Sequence, residues 1–405
     1  MNLTFLNSHP IQYFAPLYRR LSEEGSFELE VWYCSAHGLK GEVDREFGTS
    51  VKWDIPVLEG YKARFLKNYS PKPGIYGFWG LMNLGLIPML FAKEKGMLVV
   101  HGWGYFSNLL ALLAGRLTGH QVCLRGETPA CHEAHRTGWK KWLRTFFVRN
   151  VLGGLSHKIL FIGEENRNFY LRYGISEDKL VFTPYAVDND RFQQQAAELR
   201  PQSTELKKHL HLPEDKVIIL FSGKYIQKKR PLDLLAAFAR CRKRKDAHLV
   251  FMGEGELRSE MEAFISHEGL QNVTLTGFVN QSEVAKYYAT ADVFVMCSGL
   301  GETWGLSTNE AMNFALPVIL SDLTGSHADL VAEGESGFVF KTGDVEALAE
   351  KLDKLISLRP EERQRMGQRS LEIISNYSFD RIIEGLRTIA RQGEAKTDMS
   401  LSKHP

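Results

Sequence analysis

Short runs of β-branched and aromatic residues alternate along this chain with longer segments whose apolar positions recur at helical spacing. In the first half, the runs that predict strands are Leu3–Leu6, Leu29–Tyr33, Met97–Val100, Gln121–Leu124, Lys158–Ile162 and Leu180–Phe182. In the second half, they are Val217–Ser222, Ala247–Met252, Val273–Thr276, Val293–Cys297, Val318–Ser321 and Gly337–Phe340. Because strands that alternate with helices form parallel sheets, we predict an α/β protein with two doubly wound, Rossmann-like domains.

A polar segment, residues 193–211, separates the two sets of strands and is typical of a linker with a short helix. We therefore assign residues 1–193 to the first domain and residues 194–376 to the second. Residues 377–390 are expected to form a C-terminal helix that could pack back on the first domain. Residues 391–405 are expected to be a charged tail that frays. A chain of 405 residues has the length for two such cores.

Composition excludes several classes of protein. The chain has 50 basic and 48 acidic residues, so its net charge of +2 does not favour nucleic acid as a partner. Its five cysteines are scattered without ligand spacing, which is typical of a reduced cytosolic protein. No signal peptide is evident, and the longest apolar stretch, Leu81–Ala92, is too short to span a membrane. We expect a cytoplasmic protein.

A glycine-rich loop follows the predicted strand that ends at Cys297. Its glycines at 299, 301 and 305 allow backbone N–H groups to turn inward, and a helix is predicted to begin near Leu306. Such a loop and helix start can bind a phosphate. Glu302 and Glu310 lie eight positions apart, where both carboxylates could bind hydroxyl groups of one ligand. Alternatively, Glu310 is only a first-turn carboxylate that the helix dipole favours.

Cations to balance these carboxylates are found in the predicted turn after the first strand of the second domain. Gly223 is followed there by Lys224 and Lys229. Two ammonium groups at a strand end could converge on a diphosphate and stabilise the charge of a leaving group without a metal ion. The alternative is that Lys228, Lys229 and Arg230 form a solvated basic turn.

Together these segments resemble the family 4 retaining glycosyltransferases of the GT-B fold, whose two Rossmann-like domains face a central cleft. The likeness is strongest over residues 215–345. Its ordered elements are Gly223 with Lys224 and Lys229, Phe251–Gly255, Leu275–Val279, Ala291–Val295, Glu302 with Glu310, and Gly334–Phe338. The resemblance implies transfer of a sugar from a nucleoside-diphosphate-sugar to the hydroxyl of a glycan or lipid-linked glycan, in polysaccharide or glycolipid biosynthesis, with no cofactor and no metal.

The resemblance also implies roles for single residues. Lys224 and Lys229, beside Gly223, would hold the donor diphosphate, and Glu310 would bind the ribose. Glu302 would contact the transferred sugar. The remaining donor contacts would come from backbone groups of Trp304, Gly305 and Leu306 and from a base pocket lined by Phe278 and Val279. Two positions depart from the usual pattern, because Lys224 is often Arg and Trp304 is often Phe in this family.

Acceptor-side candidates follow strands of the first domain. They are His9, His101, Arg125 and Glu127. Because ligands bind at the carboxyl ends of parallel strands, we expect these side chains to face the cleft. The alternative is that they cap helices or satisfy loop hydrogen bonds.

Residues 136–149 mix basic and aromatic side chains along a predicted helix, and their partner could be an anionic membrane surface. A buried aromatic stripe with solvated basic residues is the alternative.

Two metal-like motifs are interpreted otherwise. Asp188-Asn-Asp190 is expected to be a turn, and Cys131-His132 with His135 lacks a second ligand pair. Competing functions are a sugar-nucleotide epimerase, a phosphorylase of the same fold, or an inactive donor-binding scaffold.

Overall fold

The computed structural model describes residues 1–39, 43–44, 49–50, 56–134 and 136–401. The strands are β1 Asn2–Asn7, β2 Glu28–Tyr33, β3 Val43–Asp44, β4 Thr49–Ser50, β5 Lys62–Phe65, β6 Met97–His101, β7 Gln121–Arg125, β8 Lys158–Phe161, β9 Leu180–Phe182, β10 Val217–Ser222, β11 Ala247–Met252, β12 Val273–Leu275, β13 Val293–Met296, β14 Val318–Ser321 and β15 Gly337–Phe340.

The helices are α1 Ala15–Glu24, α2 Leu86–Ala92, α3 Phe106–Leu117, α4 Gly138–Phe146, α5 Gly153–Leu155, α6 Glu164–Arg172, α7 Asn189–Leu199, α8 Ser203–His209, α9 Pro231–Arg240, α10 Arg258–His267, α11 Val284–Thr290, α12 Leu306–Asn313, α13 His327–Leu330, α14 Val345–Ser357, α15 Pro360–Ile374 and α16 Phe379–Leu401. Short 3₁₀ and π turns connect several of them. Among the described residues, no helix is long and apolar enough to cross a membrane.

The chain divides into two compact units. The N-terminal unit comprises the described residues of Met1–Glu42, Pro56–Tyr185 and Phe379–Pro405, and the C-terminal unit those of Val43–Ile55 and Ala186–Ser378. Each unit is built around a parallel sheet with helices, as predicted for two Rossmann-like domains. The division between Tyr185 and Ala186 differs from the predicted boundary at residues 193/194, which lies inside α7.

The N-terminal unit contains a parallel sheet with the strand order β5-β2-β1-β6-β7-β8-β9. Its central strands are buried and apolar, as expected of parallel strands covered by helices. Strand β5 was not predicted, because its sequence, Lys-Ala-Arg-Phe, is largely exposed at the sheet edge and lacks an apolar run. Charged residues of this kind protect an edge strand from pairing with another chain.

Helix α16 belongs to the N-terminal unit, although it follows the whole C-terminal unit in sequence. It packs on β9 and α1. There, the guanidinium of Arg20 donates to Asp380 over 2.7 Å, and Arg387 contacts Glu24. The helix begins at Phe379 rather than residue 377 and runs to Leu401, beyond the predicted helix end at residue 390.

The C-terminal unit contains a second parallel sheet, with the order β12-β11-β10-β13-β14-β15. All six strands had been predicted from their apolar runs. On one face of this sheet, α9 packs against α14 around Leu234, Phe238 and Leu352, which are buried. The strand order reverses between β10 and β13, so the chain connections leave these two neighbours in opposite directions. Ligands bind at such a switch point in open α/β sheets.

Candidate donor site

Two loops meet at the switch point of the C-terminal unit. One is the basic turn after β10, and the other is the glycine loop after β13. The N–H of Gly299 donates to the carbonyl of Lys228 over 2.8 Å, and the hydroxyl of Ser307 donates to the carbonyl of Ser222 over 3.1 Å. These bonds hold together the two segments that the sequence had singled out separately.

Glu302 occupies the junction of the two loops. Its buried carboxylate forms an ion pair with the ammonium of Lys229 and accepts a hydrogen bond of 3.1 Å from the hydroxyl of Ser298. Burial alone would raise the pKa of Glu302, but the charges of Lys229 and Lys228 outweigh it and hold this pKa below its ordinary value. Glu302 is therefore a carboxylate at neutral pH, and Lys229 is fixed at the site by it.

The basic turn is folded rather than a solvated run of charges. Lys229 closes a 3₁₀ turn, with its N–H donating to the carbonyl of Ile226 over 2.9 Å, and Arg230 follows in a left-handed conformation. The guanidinium of Arg230 forms an ion pair of 2.7 Å with the carboxylate of Asp233. Lys224 lies at the start of the turn, where its carbonyl accepts from the N–H of Ile226. The alternative of a solvated turn is therefore wrong for Lys229.

Lys228 and Ser298 are site residues that the sequence reasoning missed. Lys228 appears in the sequence analysis only in the alternative of a solvated turn, yet its charge acts on Glu302 and its stem lies beside Gly301. Ser298 orients the Glu302 carboxylate, while its own carbonyl accepts from Ser321. A hydroxyl residue directly before a glycine loop was the available signal for Ser298. For Lys228, its position beside Lys229 gave no sign of which ammonium would face inward.

The start of α12 is shaped by Gly305 and Trp304. Gly305 has a φ of 94°, and a Cβ there would lie 2.4 Å from the sulfur of Met296. Only glycine suits this position, because L side chains disfavour that φ and the space is filled. The indole of buried Trp304 donates to Asn309 over 2.8 Å, which fixes the loop against the helix. The helix begins at Leu306 as predicted, and the N-terminus of a helix favours an anion.

Glu310 is buried one turn into α12, and its carboxylate accepts a hydrogen bond of 2.7 Å from the hydroxyl of Tyr288 on α11. A residue serving only the helix dipole would need no such partner, so the geometry favours a positioned carboxylate. Tyr288 was not singled out from the sequence, because it lies in a helical pattern typical of a core aromatic.

The neighbouring strand ends complete this edge of the sheet. Gly253 follows β11, and its N–H donates to the carbonyl of Gly277, which follows β12. A Cβ at Gly253 would lie 2.0 Å from the carbonyl oxygen of Gly223, so the backbones approach closely there. The predicted base-pocket residues Phe278 and Val279 come directly after Gly277 and are half-buried.

Three of the four acceptor-side candidates lie together in the N-terminal unit. His101 ends β6 and is paired in register with Arg125 at the end of β7. Burial and the charge of Arg125 hold the pKa of His101 below its ordinary value, so its imidazole is neutral at pH 7. Glu127 shares a hydrogen bond with the hydroxyl of Tyr185, which packs against Phe14 beside His101.

Arg125 makes structural contacts within this group. Its guanidinium, 3% exposed, donates to the carbonyl and hydroxyl of Thr183 at 2.8 and 2.9 Å and to the carbonyl of Pro184 at 3.2 Å. It therefore anchors the segment after β9, in line with the alternative of satisfied loop hydrogen bonds.

His9 lies after β1, on the other side of the switch point of its sheet. Its Nδ1 is 2.9 Å from the hydroxyl of Ser8, and its ring packs edge-on against that of His37. Burial and the nearby His37 lower the pKa of His9 to about 4. The imidazole is thus a neutral hydrogen-bonding group.

The two metal-like motifs lie at the start of α7 and in the segment before α4. Asp188 caps α7, since its carboxylate accepts from the N–H of Arg191 over 3.2 Å, which agrees with the expected turn. For Cys131 and His132, the third partner of the motif, His135, lies outside the described residues.

Comparison with known proteins shows which proteins this chain resembles. Residues 202–372 match the family model "Glycosyl transferases group 1". The sulfoquinovosyl transferase SQD2 of Arabidopsis thaliana is 32% identical over 194 residues, which cover 47% of this chain and 35% of that protein. This chain thus spans about a third of that relative's length. The capsular polysaccharide biosynthesis glycosyltransferase CapM of Staphylococcus aureus is 26% identical over 365 residues, covering 85% of this chain and 90% of CapM.

Among solved structures, HepE of Anabaena in complex with UDP and glucose superposes with a TM-score of 0.67. The identity is 15%, and 99% of this chain and 100% of HepE are covered, so the likeness concerns the fold. The matched segment, residues 202–372, contains both loops at the switch point. By sequence, this segment is similar to the group 1 glycosyl transferases, and the two Rossmann-like units of the chain are those of the GT-B fold.

Proposed function

We propose that this protein is a retaining, metal-independent glycosyltransferase that moves a hexose or related sugar from a nucleoside-diphosphate-sugar to an acceptor hydroxyl. The observation that carries the proposal is the Lys229–Glu302 pair at the meeting of the basic turn and the start of α12. The pair places a fixed ammonium and a fixed carboxylate beside a helix N-terminus. A diphosphate suits the ammonium and the N–H groups, and sugar hydroxyls suit the carboxylate.

The donor is held in this proposal by groups from three elements. The ammonium groups of Lys228, Lys229 and Lys224 exceed the negative charge of Glu302, so the turn remains attractive to a pyrophosphate. Glu310, positioned by Tyr288, accepts from the ribose hydroxyls. The similar proteins support this class of donor, since HepE was solved with UDP and glucose, and CapM is a polysaccharide glycosyltransferase.

The chemistry is a displacement at the anomeric carbon in which the bond to the leaving phosphate breaks as the acceptor oxygen attacks from the same face. The acceptor proton passes to the departing phosphate oxygen. Lys228 and Lys229 stabilise the negative charge on that phosphate, which is the role a divalent cation has in other transferases. A glycan or lipid-linked glycan is the proposed acceptor class, in line with the polysaccharide role in the name of CapM.

The test is incubation of the purified protein with a panel of nucleoside-diphosphate-sugars, with and without lipid-linked and soluble glycan acceptors. We expect one donor to give a new glycoside whose anomeric proton coupling in NMR matches that of the donor, with activity unchanged by EDTA. An inverted product, or loss of activity with EDTA that Mg²⁺ restores, would contradict the retaining or metal-independent mechanism. Interconversion of the donor sugar without an acceptor would identify an epimerase instead.

A further inference from the structure

Helix α4 of the N-terminal unit exposes its apolar side chains, whereas a helix on a water-exposed surface usually turns them toward the core. Trp139, Trp142, Leu143 and Phe146 recur at helical spacing and form one apolar stripe. In a soluble domain this stripe would face the core. Here Trp139 is 68% exposed, Trp142 66% and Phe146 52%, and none of the nine described residues of α4 is buried. The predicted alternative of a buried aromatic stripe is therefore wrong.

The side of α4 that faces the protein is the polar one. Arg144 forms ion pairs with buried Glu133 and lies over the ring of Trp103, 5.6 Å from its centroid. Glu133 also forms an ion pair with Arg136 at 2.6 Å and accepts from the hydroxyl of Tyr173 at 2.7 Å. These contacts fix the orientation of the helix. The outward aromatic stripe is thus a set feature of the fold and does not result from a loosely attached segment.

The exposed charges along and directly after α4 are basic. Lys140, Lys141 and Arg149 are exposed, and within the described part of the chain no carboxylate forms an ion pair with them. Lys140 lies over the ring of Trp139 at 5.9 Å. The acidic group nearest in sequence, Glu133, is already neutralised by Arg136 and Arg144. Exposed aromatic rings with unbalanced positive charge nearby are complementary to a surface whose outer layer is anionic and whose interior is apolar.

We propose that α4 docks the N-terminal unit on the surface of an anionic lipid bilayer. Trp139, Trp142 and Phe146 enter the headgroup region, where amphipathic indole rings are favoured. Lys140, Lys141 and Arg149 lie against lipid phosphates. A helix of nine residues is about 13 Å long, so it lies in the interface and does not span the bilayer. This binding is independent of the proposed sugar transfer.

The test is flotation of the full chain with vesicles of phosphatidylcholine alone or mixed with phosphatidylglycerol. We expect binding to the anionic vesicles only, with loss of binding at roughly 0.5 M salt, where charges are screened within a few ångströms. Brominated lipids should quench the fluorescence of the wild-type protein, and much less that of Trp139→Phe/Trp142→Phe. Absence of binding at low salt, or equal binding to both vesicle types, overturns the proposal.

Variants at exposed positions locate the surface without disturbing the fold. Lys140→Glu/Lys141→Glu and Trp139→Ser/Trp142→Ser should each lower vesicle partitioning about tenfold or more. The matched controls change exposed residues elsewhere. Lys243→Glu/Lys245→Glu makes an equal charge change in the C-terminal unit, and Phe91→Ser removes an exposed aromatic ring from α2. If the controls lose binding as strongly as the α4 variants, α4 is not the docking surface.

A second copy of the chain is the competing occupant. Sedimentation of the wild type and of Trp139→Ser/Trp142→Ser measures this self-association directly. The proposal expects the same monomeric mass for both proteins in the absence of vesicles. A wild-type dimer that the substitutions dissociate would assign the stripe to self-association and overturn the membrane assignment.

Discussion

Glu302 shows how the charge of a single residue is set by its surroundings. Removal of its carboxylate from water disfavours ionisation, whereas Lys229 in direct contact and Lys228 nearby favour it, and the second effect prevails. The sequence predicted that Glu302 and Lys229 would serve one ligand. It could not predict that they contact each other, because that depends on the register of two loops whose glycines leave many conformations open.

A pH-dependent contribution to stability follows from this ionisation. Folding lowers the pKa of Glu302. The contribution of its ionised carboxylate to stability is therefore fully present above the pKa of about 4.5 in the unfolded chain, and it is lost as pH falls through the pKa in the folded protein. Each unit of lowering is worth about 1.4 kcal/mol. The difference in unfolding free energy between wild type and Glu302→Gln should therefore shrink between pH 7 and about pH 3, as measured by chemical denaturation.

The matched control is Glu260→Gln, which removes an exposed carboxylate from the same unit. A difference between wild type and Glu302→Gln that stays constant, or grows, on acidification would contradict the ionised pair.

At the scale of elements, the sequence predicted the strands well where both faces are buried. The runs of β10, β11 and β14 are mainly apolar and end where the structure ends them. The sequence did not predict β5, because a strand at the exposed edge of a sheet needs no apolar run. It also could not reveal how α12 is held, because this buried helix is fixed by polar pairs, including Trp304 with Asn309 and Glu310 with Tyr288, rather than by an apolar stripe.

Gly305 gives a prediction for the start of α12. Alanine there would have to adopt a φ of 94° and would place a Cβ 2.4 Å from the sulfur of Met296. We expect Gly305→Ala to lower the unfolding free energy of the C-terminal unit by about 2 kcal/mol or more. Thermal denaturation followed by circular dichroism measures it.

Gly154→Ala is the matched control, since a Cβ at Gly154 in α5 meets nothing within 4 Å and its φ is not left-handed. Equal losses of stability in the two variants would show that the start of α12 is not constrained as described.

At the scale of the whole molecule, local sequence patterns predicted the elements better than their grouping. The pattern after residue 376 indicates a helix, for which the sequence analysis gave packing on the first domain as a possibility. Contacts of α16 with β9 and α1 assign it to the N-terminal unit, so the chain returns to that unit after completing the other. Such a return depends on contacts distant in sequence, including Arg20 with Asp380, which no local pattern shows.

This division into units also makes nucleotide binding measurable without an acceptor. If the donor diphosphate binds at the Lys229–Glu302 pair, a matching nucleoside diphosphate stabilises only the C-terminal unit, by about 2.7 kcal/mol at a concentration 100 times its Kd. In scanning calorimetry with UDP, GDP, ADP and dTDP, one nucleotide should raise the melting transition that Gly305→Ala lowers.

Lys229→Met removes the ammonium but also leaves the buried Glu302 carboxylate without its cation, and a missing nucleotide shift in this variant could therefore result from local unfolding. The double variant Lys229→Met/Glu302→Gln restores a neutral, hydrogen-bonding pair of similar size, so its ligand-free transition should lie nearer to wild type than that of Lys229→Met. We expect the nucleotide shift to be lost in both variants and kept in Lys245→Met, an exposed lysine of the same unit. A full shift in the double variant would mean that the Lys229–Glu302 pair does not hold the diphosphate.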